Sequence, residues 1–89
     1  MQHLKITISG KVQGVFYRAS AKAKADELGV RGFVRNERNG DVYIEAEAPE
    51  DVLYKFVKWC NLGPARAQVE KIDAVPGAFV GFTNFEVRR

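Results

Sequence analysis

Apolar and polar residues alternate from His3 to Ser9, with Leu4, Ile6 and Ile8 on one side and His3, Lys5, Thr7 and Ser9 on the other, which is the period of a half-buried strand. Arg18 to Leu28 then holds no Gly or Pro, spaces Ala21, Ala25 and Leu28 as a helix does, and meets Gly29 as a C-terminal stop. Val30 to Arg35 and Asp41 to Glu47 flank Asn36-Glu37-Arg38-Asn39-Gly40, and an Asn-Gly pair between alternating runs predicts an antiparallel hairpin. In its second strand Val42, Ile44 and Ala46 share one face, and Tyr43, Glu45 and Glu47 the other. Pro49 suits a first helical turn, and Glu50 and Asp51 complement the positive end of that helix. Val52, Leu53, Phe56, Val57 and Cys60 form its buried stripe, and the helix stops near Gly63-Pro64. Val69, Ile72 and Val75 do not alternate cleanly, which predicts a strand that is bulged or at an edge. Pro76 to Gly81 reads as a loop. Phe82 to Val87 reads as a short last strand with Phe85 and Val87 on one face.

The order strand, helix, strand, strand, helix, strand is the α+β, ferredoxin-like split βαβ sandwich. It predicts an antiparallel sheet with two helices on one face, plus a short extra C-terminal strand, the other face being open. Leu4, Ile6, Ile8, Val34, Val42, Ile44, Val52, Phe56 and Val57 are the expected core. Residues 1–89 fit a single domain, since domains usually span about 50–250 residues.

Composition narrows the function classes. The chain is 46% hydrophobic and 28% charged, close to an ordinary globular protein. No apolar run approaches the roughly 20 residues that span a bilayer, and MQHLKITISG lacks a signal-peptide pattern, so a cytoplasmic protein without membrane partners is expected. The single Cys60 forms neither an intrachain disulfide nor, alone, a metal site. A net charge of +3 favours small anions but is too mild for a nucleic-acid binder.

The stretch from Gly10 to Arg18, GKVQGVFYR, joins the first strand to the first helix. Its two glycines allow a tight concave loop whose N–H groups converge on an anion, and the helix start adds partial positive charge. Arg18 supplies a fixed planar cation whose forked donors match two phosphate oxygens. Neither GxxxxGK[ST] nor GxGxxG is present, so no nucleotide fingerprint applies. From local pattern alone, a glycine-bent loop with a surface Arg is equally well described.

The same run resembles the acylphosphatase signature GxVQGVxFR, and Gly32-Phe33-Val34-Arg35-Asn36 with Gly40 and Val42 resembles that family's GWVxNxxxGxV. Gly63-Pro64, Ala67, Val69 and Phe85-Glu86-Val87 also fit, so the resemblance covers essentially the whole chain. Tyr17 stands where Phe is usual, Phe33 where Trp is common, and Ala48 where Gly often follows. The resemblance implies an enzyme that hydrolyses the carboxyl-phosphate bond of a small acyl phosphate to a carboxylate and inorganic phosphate. It implies no metal and no organic cofactor, with phosphate acting as product and inhibitor. Arg18 matches the family's phosphate-binding arginine and Asn36 its water-positioning asparagine. Phosphate contacts are expected from Gln13, Gly14, Val15, Phe16, Tyr17 and Arg18. Such chemistry needs positioning and electrostatic stabilisation rather than a covalent nucleophile. The Asn36 amide can orient water but is too weak a base to deprotonate it alone.

Other polar and reactive residues read as structural. His3 is expected at the surface and Cys60 in the core, and Trp59 and Tyr54 are expected to pack on or beside the core. Glu45, Glu47, Glu50 and Asp51 read as a solvated face and a helix-start cluster rather than a metal site. An RNA reader of this fold would need an RNP1-type run, of which Arg31-Gly32-Phe33-Val34 is only a fragment, so no nucleic-acid partner is expected. A regulatory domain that binds an anion without turnover is the other rival. The short chain favours a free-standing enzyme, expected to be a monomer.

Overall fold

The first alternating run is longer than its apolar residues require. In the computed structural model, which describes residues 1–89, β1 spans Gln2–Lys11 and leads into α1 (Tyr17–Leu28), β2 (Arg31–Asn36), β3 (Val42–Ala48), α2 (Glu50–Leu62), β4 (Gln68–Pro76) and β5 (Phe85–Val87). The sheet order is β4-β1-β3-β2-β5. The first four strands pair antiparallel, as expected, and β5 adds beside β2 in the parallel sense. Register aligns the apolar rows: Ile6 faces Ile44, which faces Val34, while Ile8 faces Val42, which faces Asn36. The catalytic candidate Asn36 therefore closes a row whose other members are buried.

Both helices cover that apolar face. Ala21 and Ala25 of α1 and Leu53, Phe56 and Cys60 of α2 join the sheet residues in one cluster of 17 buried residues. Of the expected core, Ile6, Ile8, Val34, Val42, Ile44 and Phe56 are buried, and Leu4, Val52 and Val57 pack against it partly exposed. Trp59 packs on Tyr17 and Phe56, but Tyr54 points to solvent with 65% of its surface exposed, because it lies outside the helix stripe that faces the sheet.

Strand β4 is both an edge and bulged. Ser9 pairs with Lys71 and Gly10 with Val69, leaving Glu70 as the extra residue. Only glycine fits opposite this bulge, since a Cβ on Gly10 would sit 2.2 Å from the Gln68 carbonyl oxygen. The bulge turns the end of β1 toward the glycine loop.

The outer face of the sheet departs from expectation. His3 is buried rather than at the surface, and Glu47 is buried rather than solvated, because the segment after β4 folds back across them. Gly77 N–H donates to the His3 carbonyl at 2.9 Å. The N–H groups of Val80, Gly81 and Phe82 donate to the Glu47 carboxylate at 2.6, 3.0 and 2.9 Å. The Phe82 ring stacks on His3 and meets Phe33 edge-on. Alternation assigned the polar side of β1 and β3 to water, and it carried no sign of a later segment covering it. That capture also explains why the last strand begins at Phe85 instead of Phe82. Glu45 is half-buried, 2.8 Å from the Tyr43 hydroxyl, while Glu50 and Asp51 are exposed at the start of α2 as expected. Burial would raise the Glu47 carboxyl, but the Val80 N–H, the His3 imidazole and the Phe82 and Gly81 N–H groups outweigh it and hold the carboxyl below the ordinary carboxylate range.

Candidate active site

Strand β1 delivers the chain into a loop whose curvature comes from two left-handed residues, Gly14 at φ 73° and Phe16 at φ 64°. Gly14 adopts this region freely, whereas Phe16 is the one residue other than glycine with positive φ, and the residue is 73% exposed. Alternate residues anchor the loop below. Val15 and Tyr17 bury their side chains in the core, and the Tyr17 hydroxyl donates to the Cys60 carbonyl. That bond accommodates the hydroxyl by which Tyr17 differs from the Phe of the signature that this loop resembles. Gly14 and Phe16 between them are the exposed members of the loop.

The N–H groups of Gly14, Val15 and Phe16 make no hydrogen bond within the chain, and the first bond of α1 runs from Ser20 N–H to the Phe16 carbonyl at 3.0 Å. Tyr17, Arg18 and Ala19 are thus first-turn donors without an intrahelical acceptor. No side chain caps this helix and no acid stands in its first turn, in contrast to α2 with Glu50 and Asp51. The positive end of the α1 dipole is left uncompensated.

A cleft of about 300 Å³ opens over this loop. Gly14, Phe16, Tyr17, Arg18 and Asn36 line it together with Val12, Ala19 and Val87. The structure thereby brings together Arg18 and Asn36, which come from α1 and the end of β2, with three of the expected loop residues. Gln13 and Val15 lie outside the lining: the Gln13 side chain turns away to the Glu37 and Asp41 carbonyls at 2.7 and 2.9 Å. Val12, Ala19 and Val87 went unremarked as site residues. Ala19 was within reach as a first-turn donor, but nothing in the β5 sequence places Val87 beside Arg18.

Arg18 is half-buried, and its Nη1 donates to the Arg88 carbonyl at 3.2 Å, which steadies the guanidinium against the end of β5. The Asn36 Oδ1 is buried and has no hydrogen-bond partner in the chain. A buried acceptor left unpaired is costly unless something supplies a donor. The lining contains a cation, amides and apolar groups, and no carboxylate, imidazole, thiol or hydroxyl other than that of the inward-turned Tyr17. Cys60 is buried, and its thiol is pushed up to about 12 by burial, against the opposing Tyr17 hydrogen bond, so it is inert. No group of three or more His, Cys, Asp or Glu side chains is arranged to hold a metal. No helix is long and apolar enough to cross a membrane.

The chain as a whole matches a known family. The Acylphosphatase family model matches residues 4–87. The chain is 42% identical over 90 residues to an acylphosphatase of Methylococcus capsulatus, covering 100% of this chain and 98% of that one. It is 43% identical over 83 residues to an acylphosphatase of Nocardioides sp., covering 93% and 84%. Among solved structures, acylphosphatase from Bacillus subtilis superposes with a TM-score of 0.97 at 31% identity, covering 100% of both chains.

Proposed function

The chain belongs to the acylphosphatase family, enzymes that hydrolyse acyl phosphates, and we propose that it does so by holding the phosphate on the Gly14–Ala19 amides and Arg18 while Asn36 orients the attacking water. The observation that carries this reading is the pairing within one cleft of unsatisfied loop N–H groups with the unpartnered Asn36 Oδ1. In this reading the donors serve the anion, and the Asn36 amide serves the water.

The steps follow from charge. A phosphoryl group in transfer spreads negative charge over its equatorial oxygens, and preorganised amides with a guanidinium stabilise that charge without reorganising. The water oxygen bonds to phosphorus while the bond from phosphorus to the acyl oxygen breaks, and the electron pair leaves on the carboxylate. Asn36 accepts a hydrogen bond from the water and fixes its line of approach. The proton passes to a phosphate oxygen, since Asn36 cannot hold it. A carboxylate is a far better leaving group than an alkoxide, so the substrate class follows from the weakness of the available bases. The proposal is tested by following phosphate release from an aryl acyl phosphate and from an alkyl phosphate monoester, with inorganic phosphate as inhibitor. Release from the first alone, inhibited competitively, is expected. Comparable turnover of the monoester would overturn it.

A further inference from the structure

The Gln13 side chain lies beside the phosphate loop yet is spent elsewhere. Its Nε2 donates to the Glu37 carbonyl at 2.7 Å and to the Asp41 carbonyl at 2.9 Å. A primary amide has two N–H donors, so neither remains for a phosphate oxygen. Both partners are carbonyl oxygens, which fixes the nitrogen as the atom facing them. Glu37 and Asp41 are the two ends of the β2–β3 turn, themselves joined by the Glu37 N–H to Asp41 carbonyl bond at 2.8 Å. Glu37 directly follows Asn36.

We propose that Gln13 is the positioning residue for Asn36, a tie that fixes the turn, and with it the water-orienting amide, relative to the phosphate loop. This rests on the reading of the site given above. The two ends of the tie are held unequally. The loop is anchored independently by the buried side chains of Val15 and Tyr17. Beyond the strand pairing of Asn36 with Val42, the turn has no such anchor: Arg38 and Asn39 are exposed, and the other side-chain bonds of the turn stay within it or reach only Arg35. Loss of the tie therefore releases the turn and leaves the phosphate cradle standing. In this assignment the Gln13 side chain acts on the attack through Asn36 rather than by touching phosphate or water.

The test is a double-mutant cycle on the full chain, read as kcat for an aryl acyl phosphate and as the inhibition constant of inorganic phosphate. Gln13→Ala is expected to lower kcat by about tenfold or more with phosphate inhibition within about threefold of wild type. In an Asn36→Ala background the same change should alter kcat by less than about twofold, because the group it positions is gone. Gln13→Met, which keeps the length of the side chain and removes the donors, should repeat both results and carries the test if Gln13→Ala does not fold. Losses that multiply in the double variant, or a phosphate inhibition constant that weakens as much as kcat falls, would overturn the assignment while leaving the site intact. An Asn36→Ala variant with normal turnover would overturn the reading of the site, and this inference with it.

Discussion

The His3 imidazole Nδ1 lies 2.7 Å from the Glu47 carboxylate inside the outer layer of the sheet, where that carboxylate also receives the three N–H groups of Val80, Gly81 and Phe82. The His3 Nε2 is 2.9 Å from Glu45 but off hydrogen-bonding geometry, so Glu47 is the partner that orients the ring. One buried carboxylate thus fastens the segment between β4 and β5.

That fastening makes stability depend on acid. The Glu47 carboxyl is held lower in the folded protein than in the unfolded chain, where a glutamate keeps its ordinary, higher value. The unfolded chain therefore takes up its proton first as the pH falls. The contribution is full above the ordinary glutamate range and is lost as the pH drops through the lower folded value. Glu47→Gln should cost about 1–3 kcal/mol at neutral pH and flatten the acid limb of stability. Denaturant unfolding of both proteins between neutral and acid pH measures it. An unchanged acid limb in the variant would mean that other groups set it.

The fold was legible because its information is local. Alternation in Leu4, Ile6 and Ile8, the helix stripe through Phe56 and Cys60 and the Asn39-Gly40 turn each report on their own element, and the register of β1, β3 and β2 follows once apolar rows align. What escaped depended on residues far apart in sequence. His3 and Glu47 look like surface residues until residues 77–82 cover them, and nothing local to Gln13 shows that two turn carbonyls take both protons of its side-chain amide. Arg18 and Asn36 stand out by motif and do line one cleft, while Val87 reaches it only because β5 returns to pair with β2.

Phe16 holds a left-handed backbone at φ 64° with its ring largely exposed. Such a conformation costs an L-residue about 1–2 kcal/mol, and glycine largely escapes it. Phe16→Gly is accordingly expected to raise stability by about 0.5–1 kcal/mol, after the greater freedom of the unfolded chain is subtracted, and Phe16→Ala is not. Midpoints of chemical denaturation compare the three. Equal stabilisation by alanine would assign the gain to loss of the exposed ring instead of the backbone.

Ile44 and Phe56 are fully buried on facing elements of the one core. Replacing either by Ala should cost about 2–5 kcal/mol, a large fraction of the roughly 5–15 kcal/mol available to a small domain. Val52 only flanks that core, and Val52→Ala should cost less than either. A ranking that placed Val52 first in equilibrium unfolding would contradict the packing described.

Arg18 and Asn36 line one cleft, and the proposed mechanism gives them different stages, so separating them is its most direct test. The measurement is the inhibition constant of inorganic phosphate set beside kcat for an aryl acyl phosphate in wild type, Arg18→Ala, Arg18→Lys and Asn36→Ala. Arg18→Ala should lose about 10³–10⁵ in rate and bind phosphate weakly, and Arg18→Lys should restore little, since a point charge lacks the planar fork. Asn36→Ala should lose at least about 10²-fold in kcat while phosphate binds within a few-fold of wild type, because the amide acts on water and not on the anion. Normal turnover in Asn36→Ala, or undiminished phosphate binding in Arg18→Ala, would contradict the account.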